Sequence, residues 1–342
     1  MINTANNEIP MVSIVIPAYN VELYMAETIG YLINQTFQNW ELILVDDQSD
    51  DSTRNIIEKY CGIDSRIKLF VRDRLPKGAQ VCRNTGVEKA AGKYLIILDS
   101  DDIIKPCCLQ QRVDFMEEHP ELDFSVFKGA NYNSKTETID LNRKWGYDPH
   151  ADVLSLFLKA RYPFGVWNCI FKTEVAKDIM FDEKLKVYQD FDFIVRTLLK
   201  TSKYSFAENS EIDYLYRQGH TGTITSNFTA NGKYESTLYL FSKTMEELSS
   251  LQDSEIRKKQ YYGFFKLQLE KVALSGTKEE LREYFRFVRK YYGFPYSIKL
   301  SIAKLLLRGP FVNNQKYKKK YVHFIVALLY HPSAFVDKIR KK

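Results

Sequence analysis

Short apolar runs rich in β-branched residues alternate with segments of helical period over roughly the first hundred residues. The runs that predict strands are Val12–Pro17, Glu41–Val45, Ile67–Val71 and Tyr94–Leu98. The segments that predict helices are Leu23–Gln35, the stretch that ends near Tyr60, and Gln80–Ala91. Strand and helix in alternation predict an α/β fold, with a doubly wound, mostly parallel sheet and right-handed crossovers. The last run is apolar throughout, which is typical of a central strand buried on both faces.

Acidic residues directly follow two of these predicted strands. Asp46 and Asp47 come after the second run, and Asp99, Asp101 and Asp102 come after the fourth. Parallel sheets bind ligands at the carboxyl ends of their strands, so we expect these side chains at one ligand-binding edge. The clustered carboxylates after the fourth strand repel one another unless a cation neutralises them. Mg²⁺ or Mn²⁺ would do so, because both prefer carboxylate oxygen and are commonly shared with the phosphates of a nucleotide.

A simpler interpretation of the acidic cluster stays open at this point. Asp101 or Asp102 would cap the helix predicted after Pro106, and the other carboxylates would be solvated. The glycines form neither a G-x-G-x-x-G nor a Walker A sequence, which excludes the phosphate loops of dinucleotide dehydrogenases and P-loop proteins. A phosphate ligand at this acidic edge therefore needs a metal.

Length and composition indicate one large α/β domain with an appended unit. The chain has 342 residues, of which 45% are hydrophobic, enough for a substantial core. Five cysteines without C-x-x-C spacing predict neither a disulfide framework nor a zinc site. The N-terminus lacks the features of a secretory signal, and no apolar run has the length of a membrane span. We therefore expect a cytoplasmic protein, peripheral on the cytoplasmic face of the inner membrane or free of it.

Charge is divided unevenly along the chain. Residues 255–342 contain 21 Lys and Arg against 6 Asp and Glu, whereas residues 1–254 carry a net charge of −9. We predict that residues 231–342 form a basic, aromatic-rich helical region. Its basic and aromatic residues fit a surface for anionic lipid, and equally a helical extension that packs on the catalytic domain and exposes a solvated face. Nucleic acid is not expected as a partner, because no recognition motif accompanies the charge.

Four stretches in this order resemble the family-2 glycosyltransferases of the GT-A fold, of the type that serves bacterial polysaccharide biosynthesis. The stretches are VSIVIPAYN, ELILVDDQSDDST, GAQVCRNTGVEKAAGKYLIILDSDD and VYQDFDF. The resemblance implies a catalytic domain over residues 1–230. Its nucleotide-sugar half would cover about residues 1–105 and its acceptor half about residues 106–230.

The resemblance implies that thirteen positions bind the donor nucleotide sugar. They are Pro17, Ala18, Tyr19, Asn20, Glu22, Asp47, Gly78, Arg83, Asp99, Ser100, Asp101, Arg217 and His220. Tyr19 would pack against the base, although an ordinary half-buried tyrosine is an equal alternative. Asp47 would accept the uracil N–H, whereas Asp46 is a turn or capping residue.

Arg83 and Asn84 would lie near the sugar phosphate, because arginine suits bidentate phosphate contact. The alternative for Arg83 is an ion pair with Glu88 or with a residue of the acidic edge. Arg217 and His220 would belong to a mobile loop that closes over the diphosphate and stabilises the leaving group.

The same resemblance assigns the metal and the acceptor side. Asp101 would ligate Mn²⁺ or Mg²⁺ directly, and Asp99 would contact the ribose or the metal through water. Asp102 would support the metal ligands without binding the metal, or would cap a helix. Asp190 would be the general base, or alternatively only the N-cap of the helix that follows it. It follows Gln189, where many relatives have Glu, which leaves any role for a second carboxylate in doubt. Trp167 would be a sugar-stacking floor or a buried core residue.

These assignments predict a metal-dependent hexosyl-type glycosyltransferase. It would move a sugar from a nucleotide-diphosphate sugar, UDP-linked, to a hydroxyl of a saccharide or lipid-linked saccharide. Inversion at the anomeric carbon follows from the resemblance alone. Two alternatives are a metal-dependent nucleotidyltransferase and a degenerate nucleotide-sugar-binding scaffold at the membrane. The acidic residues at positions 99, 101 and 190 argue against degeneration, and the first alternative lacks a glycine-rich phosphate loop.

Overall fold

The computed structural model describes residues 9–145, 152–218, 232–275, 277, 279–287 and 289–291. Two compact units divide the chain. The first lies within Met1–Leu156 and Tyr162–Thr223, and the second lies within Phe157–Arg161 and Ile224–Lys342. The residues with assigned chemistry belong to the first unit.

Four parallel strands form one half of a seven-stranded sheet in the first unit. These strands are β1 (Val12–Ala18), β2 (Trp40–Asp46), β3 (Ile67–Val71) and β4 (Tyr94–Ile97). Helices α1 (Glu22–Ile33), α2 (Thr53–Cys61) and α3 (Ala79–Lys89) connect them in turn. The strands stand side by side in the order β4-β1-β2-β3, and β4 is the middle strand of the sheet. The predicted alternation, its parallel direction and the central strand are confirmed.

The apolar runs form strands here because both sheet faces are covered. Ile14, Leu42 and Ile96 come from three adjacent strands and are fully buried, together with Met25 and Ile29 of α1. A parallel sheet buried on both faces requires such continuous apolar sequence.

Register brings the carboxyl ends of these strands to a common edge. Ala18 lies opposite Asp46 in the β1–β2 pair, and Asp46 lies opposite Val71 in the β2–β3 pair. The backbone N–H of Asp47 donates to the Ala18 carbonyl at 2.8 Å, which extends the pairing past the end of β2. The residues that follow β1 and β2 therefore leave the sheet side by side.

The rest of the first unit is a mixed half, in which some neighbouring strands are parallel and others are antiparallel. Its elements are β5 (Ile103–Ile104), α4 (Cys108–Glu118), β6 (Phe124–Val126), β7 (Gly129–Asn133), β8 (Thr138–Trp145), α5 (Val153–Leu158), a short 3-10 helix (Val166–Asn168), β9 (Cys169–Lys172), α6 (Thr173–Ile179), α7 (Gln189–Lys200), β10 (Tyr204–Phe206) and β11 (Tyr214–Gln218). Strands β9, β6 and β10 complete the large sheet beyond β4. Strands β5, β11, β7 and β8 form a second, four-stranded sheet.

The polar stretch Ala130–His150, which its composition predicts to be a loop, contains strand instead. β7 and β8 pair as an antiparallel hairpin from Asn133–Thr138 to Gly129–Trp145. Asn133 closes the turn, since its side-chain oxygen accepts from the N–H of Lys135 at 2.9 Å. The sequence did not predict β7 and β8, because both strands are rich in polar residues and contain no apolar run.

Aromatic packing between helices forms the core of the second unit. It contains α8 (Lys233–Ser249), α9 (Ser254–Ser275) and helical residues 279–287. Phe241 of α8 stacks on Tyr261 of α9 with ring centroids 5.0 Å apart, and Phe265 stacks on Tyr284 at 4.4 Å. The prediction of C-terminal helices is confirmed for these elements.

The lysine-rich run at residues 316–321 and the rest of 292–342 lie outside the described residues. In the part of the chain that is described, no helix combines the length and apolar character that crossing a bilayer requires.

Candidate active site

The residues after β1 hold the neighbouring loop and present one aromatic ring. Pro17 and Ala18 belong to β1 itself, and Tyr19 beyond them is 44% exposed. Asn20 accepts from the N–H of Asp50 at 3.0 Å, in the loop after β2. The side chain of Glu22 likewise accepts from the N–H of Ser52 at 2.9 Å. Pro17, Ala18, Asn20 and Glu22 thus shape the edge, whereas the Tyr19 ring is accessible at it.

Asp46 and Asp47, at the end of β2, have different partners. Asp46 accepts from both the N–H and the hydroxyl of Ser49, the latter at 2.6 Å, which is the predicted turn role. Asp47 is buried and forms an ion pair with Arg72, which is equally buried. Arg72 was not predicted as a site residue, although the charged segment after β3 contains it. The pair places a neutralised carboxylate beside the exposed ring of Tyr19.

Beside Tyr19, the loop after β3 supplies a second cation. The Lys77 ammonium lies 3.5 Å from the centroid of the Tyr19 ring. Gly78 follows with φ of 149°, and a Cβ there would lie 2.4 Å from the side chain of Gln80. Glycine is therefore required at position 78, at the entry to α3.

Residues 99–102, shortly after β4, contain three carboxylates that differ in exposure. Asp99 and Asp101 are partly exposed, whereas Ser100 and Asp102 are buried. Asp102 accepts from the backbone N–H of Arg217 at 2.7 Å and from the Tyr214 hydroxyl. Burial, reinforced by the charges of Asp99 and Asp101, raises the pKa of Asp102 well above its usual value. Asp102 therefore holds the loop after β4 against β11 through these hydrogen bonds.

Helix capping does not explain this cluster. Cys107 is the N-cap of α4, and the side-chain oxygen of Gln35 accepts from the Leu109 N–H at this helix end at 3.0 Å. The interpretation of Asp101 or Asp102 as a cap is therefore wrong. Ser100 contributes its backbone, because its carbonyl accepts from the Thr28 hydroxyl of α1 at 2.8 Å.

The donor set for a metal consists of the two partly exposed carboxylates, Asp99 and Asp101. In residues 9–145, 152–218 and the other described ranges, no group of three or more His, Cys, Asp and Glu side chains is placed to hold a metal ion. A metal held by one or two carboxylates, with waters and substrate phosphates as its other ligands, needs no such group. Asp99 and Asp101 fit a metal of that kind.

Arg83 of α3 joins the donor edge to the predicted base. Its guanidinium is buried and donates to Asp99 at 2.7 Å and to the amide oxygen of Gln189 at 3.0 Å. The same group lies 3.4 Å from Asp190. The predicted alternative of an ion pair with Glu88 is wrong, while the alternative of an acidic-edge partner is confirmed.

Asp190 lies in the first turn of α7, with a carboxyl that is 31% exposed. The N-cap of α7 is Tyr188, at a left-handed φ of 61°, so the interpretation of Asp190 as the cap is wrong. Burial raises the pKa of Asp190, Arg83 opposes the rise, and Asp99 adds to it. A carboxylate with a raised pKa beside a cleft has the character of a general base.

Helix α3 also fixes the segment that leads to Asp190. The Asn84 amide donates to the Phe181 carbonyl at 2.9 Å and accepts from the Phe181 N–H at 2.7 Å. The Gln189 amide donates to the side chain of Gln80 at 2.7 Å. Asn84 therefore contacts protein, not open cleft. Gln80 was missed as a supporting residue, although a buried polar side chain beside Arg83 signals such a role.

Arg217 ties β11 to the loop after β4. Its guanidinium donates to the Asp101 carbonyl at 2.6 Å and to Glu27 of α1 at 2.7 Å. Only 8% of the residue is exposed, so its charge is engaged within the protein. Glu27 was not predicted from the sequence. His220 lies outside the described residues.

Trp167, on the short 3-10 helix, packs between aromatic rings. It stacks on Tyr216 with centroids 5.5 Å apart and on Tyr214 at 6.0 Å. The ring is partly buried against the main core. The core interpretation describes this packing, and a sugar-stacking role for Trp167 stays a prediction.

The chain was compared with known proteins. Residues 13–178 match the family model described as glycosyl transferase family 2. An uncharacterized glycosyltransferase of Haemophilus influenzae is 43% identical over 239 residues, which cover 68% of this chain and 87% of that protein. The minor teichoic acid biosynthesis protein GgaB of Bacillus subtilis is 26% identical over 251 residues, or 71% of this chain. The chain spans only 27% of the length of GgaB.

Among solved structures, S. aureus TarS 1-349 in complex with UDP-GlcNAc has a TM-score of 0.65. Sequence identity is 19%, and the match covers 93% of this chain and 90% of that one. The likeness shows the fold, so the predicted GT-A fold with C-terminal helices is confirmed. With the family match and the Haemophilus relative, it follows that the chain belongs to glycosyltransferase family 2.

Proposed function

We propose that this chain transfers a sugar from a UDP-linked donor to a saccharide hydroxyl, with inversion, in the synthesis of a cell-surface polysaccharide or lipid-linked oligosaccharide. The observation that carries the proposal is the position of Arg83, which contacts Asp99 at the end of β4 and Asp190 on α7. A carboxylate assigned to the donor side and one assigned to the acceptor side thus contact the same guanidinium. The similarity to a teichoic acid biosynthesis protein and to the UDP-GlcNAc complex of TarS supports the substrate class.

The donor would bind along the carboxyl edge of the parallel strands. The exposed ring of Tyr19 would pack on the base, and the Asp47 carboxylate, oriented by Arg72, would accept its N–H. Asp101, with Asp99, would hold the divalent metal, which when bound offsets negative charge on the diphosphate. Arg83 would add a fixed cation near the same charge.

Asp190 would carry the proton transfer. Its carboxylate takes the proton of the acceptor hydroxyl while that oxygen attacks the anomeric carbon of the donor sugar. The bond from the anomeric carbon to the diphosphate breaks in the same step, and its electron pair leaves with the diphosphate. One displacement from the opposite face inverts the configuration. The charge of Arg83 lowers the pKa of Asp190, which opposes the rise caused by burial and favours the ionised carboxylate.

Release of UDP in the presence of acceptor tests the proposal, measured with and without EDTA. Replacement of the base by Asp190→Ala should lower kcat by about 100-fold or more, in line with the usual contribution of a general base. Asp178→Ala is the matched control, because Asp178 is an exposed residue of α6 that pairs with Lys200. Activity that survives EDTA contradicts the metal's role, and an unaffected Asp190→Ala variant contradicts the assignment of the base.

A further inference from the structure

Tyr216 of β11 carries a hydroxyl group that the mechanism above does not use. Side chains alternate along a strand, so Tyr214 and Tyr216 lie on the same face of β11. Both rings stack on Trp167, at 6.0 and 5.5 Å between centroids. The Tyr214 hydroxyl donates a hydrogen bond to Asp102, in the loop after β4. Tyr216 lies one step farther along the same face, toward the end of the strand.

The surroundings of Tyr216 are acidic and include the carboxylates assigned to the donor and to the base. Burial and the charges of Asp102, Asp99, Asp101 and Asp190, in that order, raise the pKa of Tyr216 to about 12. The phenol therefore keeps its proton at neutral pH and remains a hydrogen-bond donor.

This donor has no use within the described protein. Tyr216 is partly buried, and its hydroxyl makes no hydrogen bond to any residue that the structure describes. Ring stacking on Trp167 would be served equally well by phenylalanine. A phenol hydroxyl that no described residue engages is available as a donor to a bound ligand.

The donor sugar is the ligand that fits this position. Tyr214 and Arg217, on either side of Tyr216 in β11, both bond to the loop after β4. No hydrogen bond between β11 and α7 accompanies them among the described residues. Tyr216 therefore lies between two residues of β11 that contact the loop with the carboxylates assigned to the donor.

We propose that the Tyr216 hydroxyl donates a hydrogen bond to a ring substituent of the transferred sugar, a hydroxyl or an amide carbonyl oxygen, and helps to select the donor. The inference rests on the proposed function and adds a sugar-binding residue to it. A site that hydrogen-bonds a substrate group discriminates against ligands that lack the group.

Calorimetric titration of the full chain without acceptor tests the inference. The ligands are UDP, UDP-GlcNAc, UDP-glucose and UDP-galactose, and the proteins are wild type, Tyr216→Phe and Tyr204→Phe. Tyr204 is the control, because this half-buried tyrosine lies on β10 at the outer end of the large sheet and stacks on Phe124. In the wild type, we expect at least one UDP-sugar to bind more tightly than UDP.

In Tyr216→Phe, the gain from the sugar, which is the affinity for the UDP-sugar relative to UDP, should fall by about tenfold, the usual contribution of one hydrogen bond. The affinity for UDP itself should not change. Tyr204→Phe should keep the whole gain. The inference is overturned if Tyr216→Phe keeps the gain, or if no UDP-sugar exceeds UDP in the wild type. Failure of UDP itself to bind would instead reject the proposed function, and the inference with it.

Discussion

Helices connect the parallel strands β1 to β4 one after another. Beyond β4, contacts between side chains that lie far apart in the sequence hold the elements together. In the parallel half, each crossover returns the chain to the next strand, and the core is a continuous apolar layer. In the mixed half, Arg112 of α4 pairs with Asp213 before β11 and donates to the Trp167 carbonyl at 2.9 Å. Both charged side chains are fully buried.

This difference separates two tasks. The parallel half provides a stable edge for the nucleotide from local sequence pattern. The mixed half has to bring Asp190 on α7, the proposed base, to that edge. Polar contacts from Arg83 and Asn84 of α3 hold the start of α7 and the segment before it. The comparison predicts that substitutions of buried polar residues lower the free energy of unfolding most in the mixed half. In the parallel half, it predicts that stability depends on local helix propensity.

The largest effect is expected for Asp213→Asn, which leaves Arg112 buried without its counter-charge. Loss of one partner of a buried ion pair lowers the free energy of unfolding by about 3–5 kcal/mol. The matched control is Glu58→Gln, in the exposed Arg54–Glu58 pair of α2, with an expected change below about 1 kcal/mol. Denaturant titration measures both. Equal effects would remove the distinction between the two halves.

A smaller effect is expected for Asn84→Ala, which removes the paired hydrogen bonds to the Phe181 backbone. Loss of these partners should lower the free energy of unfolding by about 1–3 kcal/mol in all, and kcat should fall because the start of α7 shifts. Asn34→Ala is the control, since Asn34 makes one exposed hydrogen bond to the Gly30 carbonyl. Urea unfolding and UDP release give the two readouts. A stable Asn84→Ala variant with full kcat would show that α3 does not position the base.

The smallest effect is expected for Gly30→Ala in α1, and its sign is opposite. A Cβ at Gly30 meets nothing within 4 Å, so alanine should stabilise the helix by about 0.5–1 kcal/mol. At Gly92 the same change should destabilise, because the Cβ would lie 2.6 Å from the Ser13 backbone nitrogen. Thermal unfolding distinguishes the two. A destabilised Gly30→Ala variant would contradict the role of local propensity in the parallel half.

Sequence pattern predicted the parallel half because its determinants are local. The β-branched runs predicted β1 to β4, and the expected topology placed Asp47 and Asp99 at one edge of the sheet. The motif VYQDFDF located Asp190 through family resemblance, although periodicity alone would have left it a helix cap. Gln189, whose amide accepts from Arg83, shows how a neutral side chain serves at that position.

The remaining features depend on contacts that no local window contains. Arg72 reaches Asp47 across 25 positions, and Arg217 reaches Glu27 across 190. The hairpin of β7 and β8 has no apolar run, and the Tyr216 hydroxyl is distinguished only by the carboxylates around it. Such approaches are set by tertiary packing, which pairs residues irrespective of the propensity of either segment.

The pH dependence of kcat/KM in Arg83 variants tests most directly whether one guanidinium serves both sides of the cleft. Asp190 must be ionised to accept a proton, so the acid limb of the profile follows its pKa. Burial raises that pKa and Arg83 lowers it, so Arg83→Met should move the limb to higher pH. Arg83→Lys, which keeps the charge, and Arg54→Met, which alters the exposed pair with Glu58 in α2, should leave it in place. An acid limb that stays put in Arg83→Met would contradict the account.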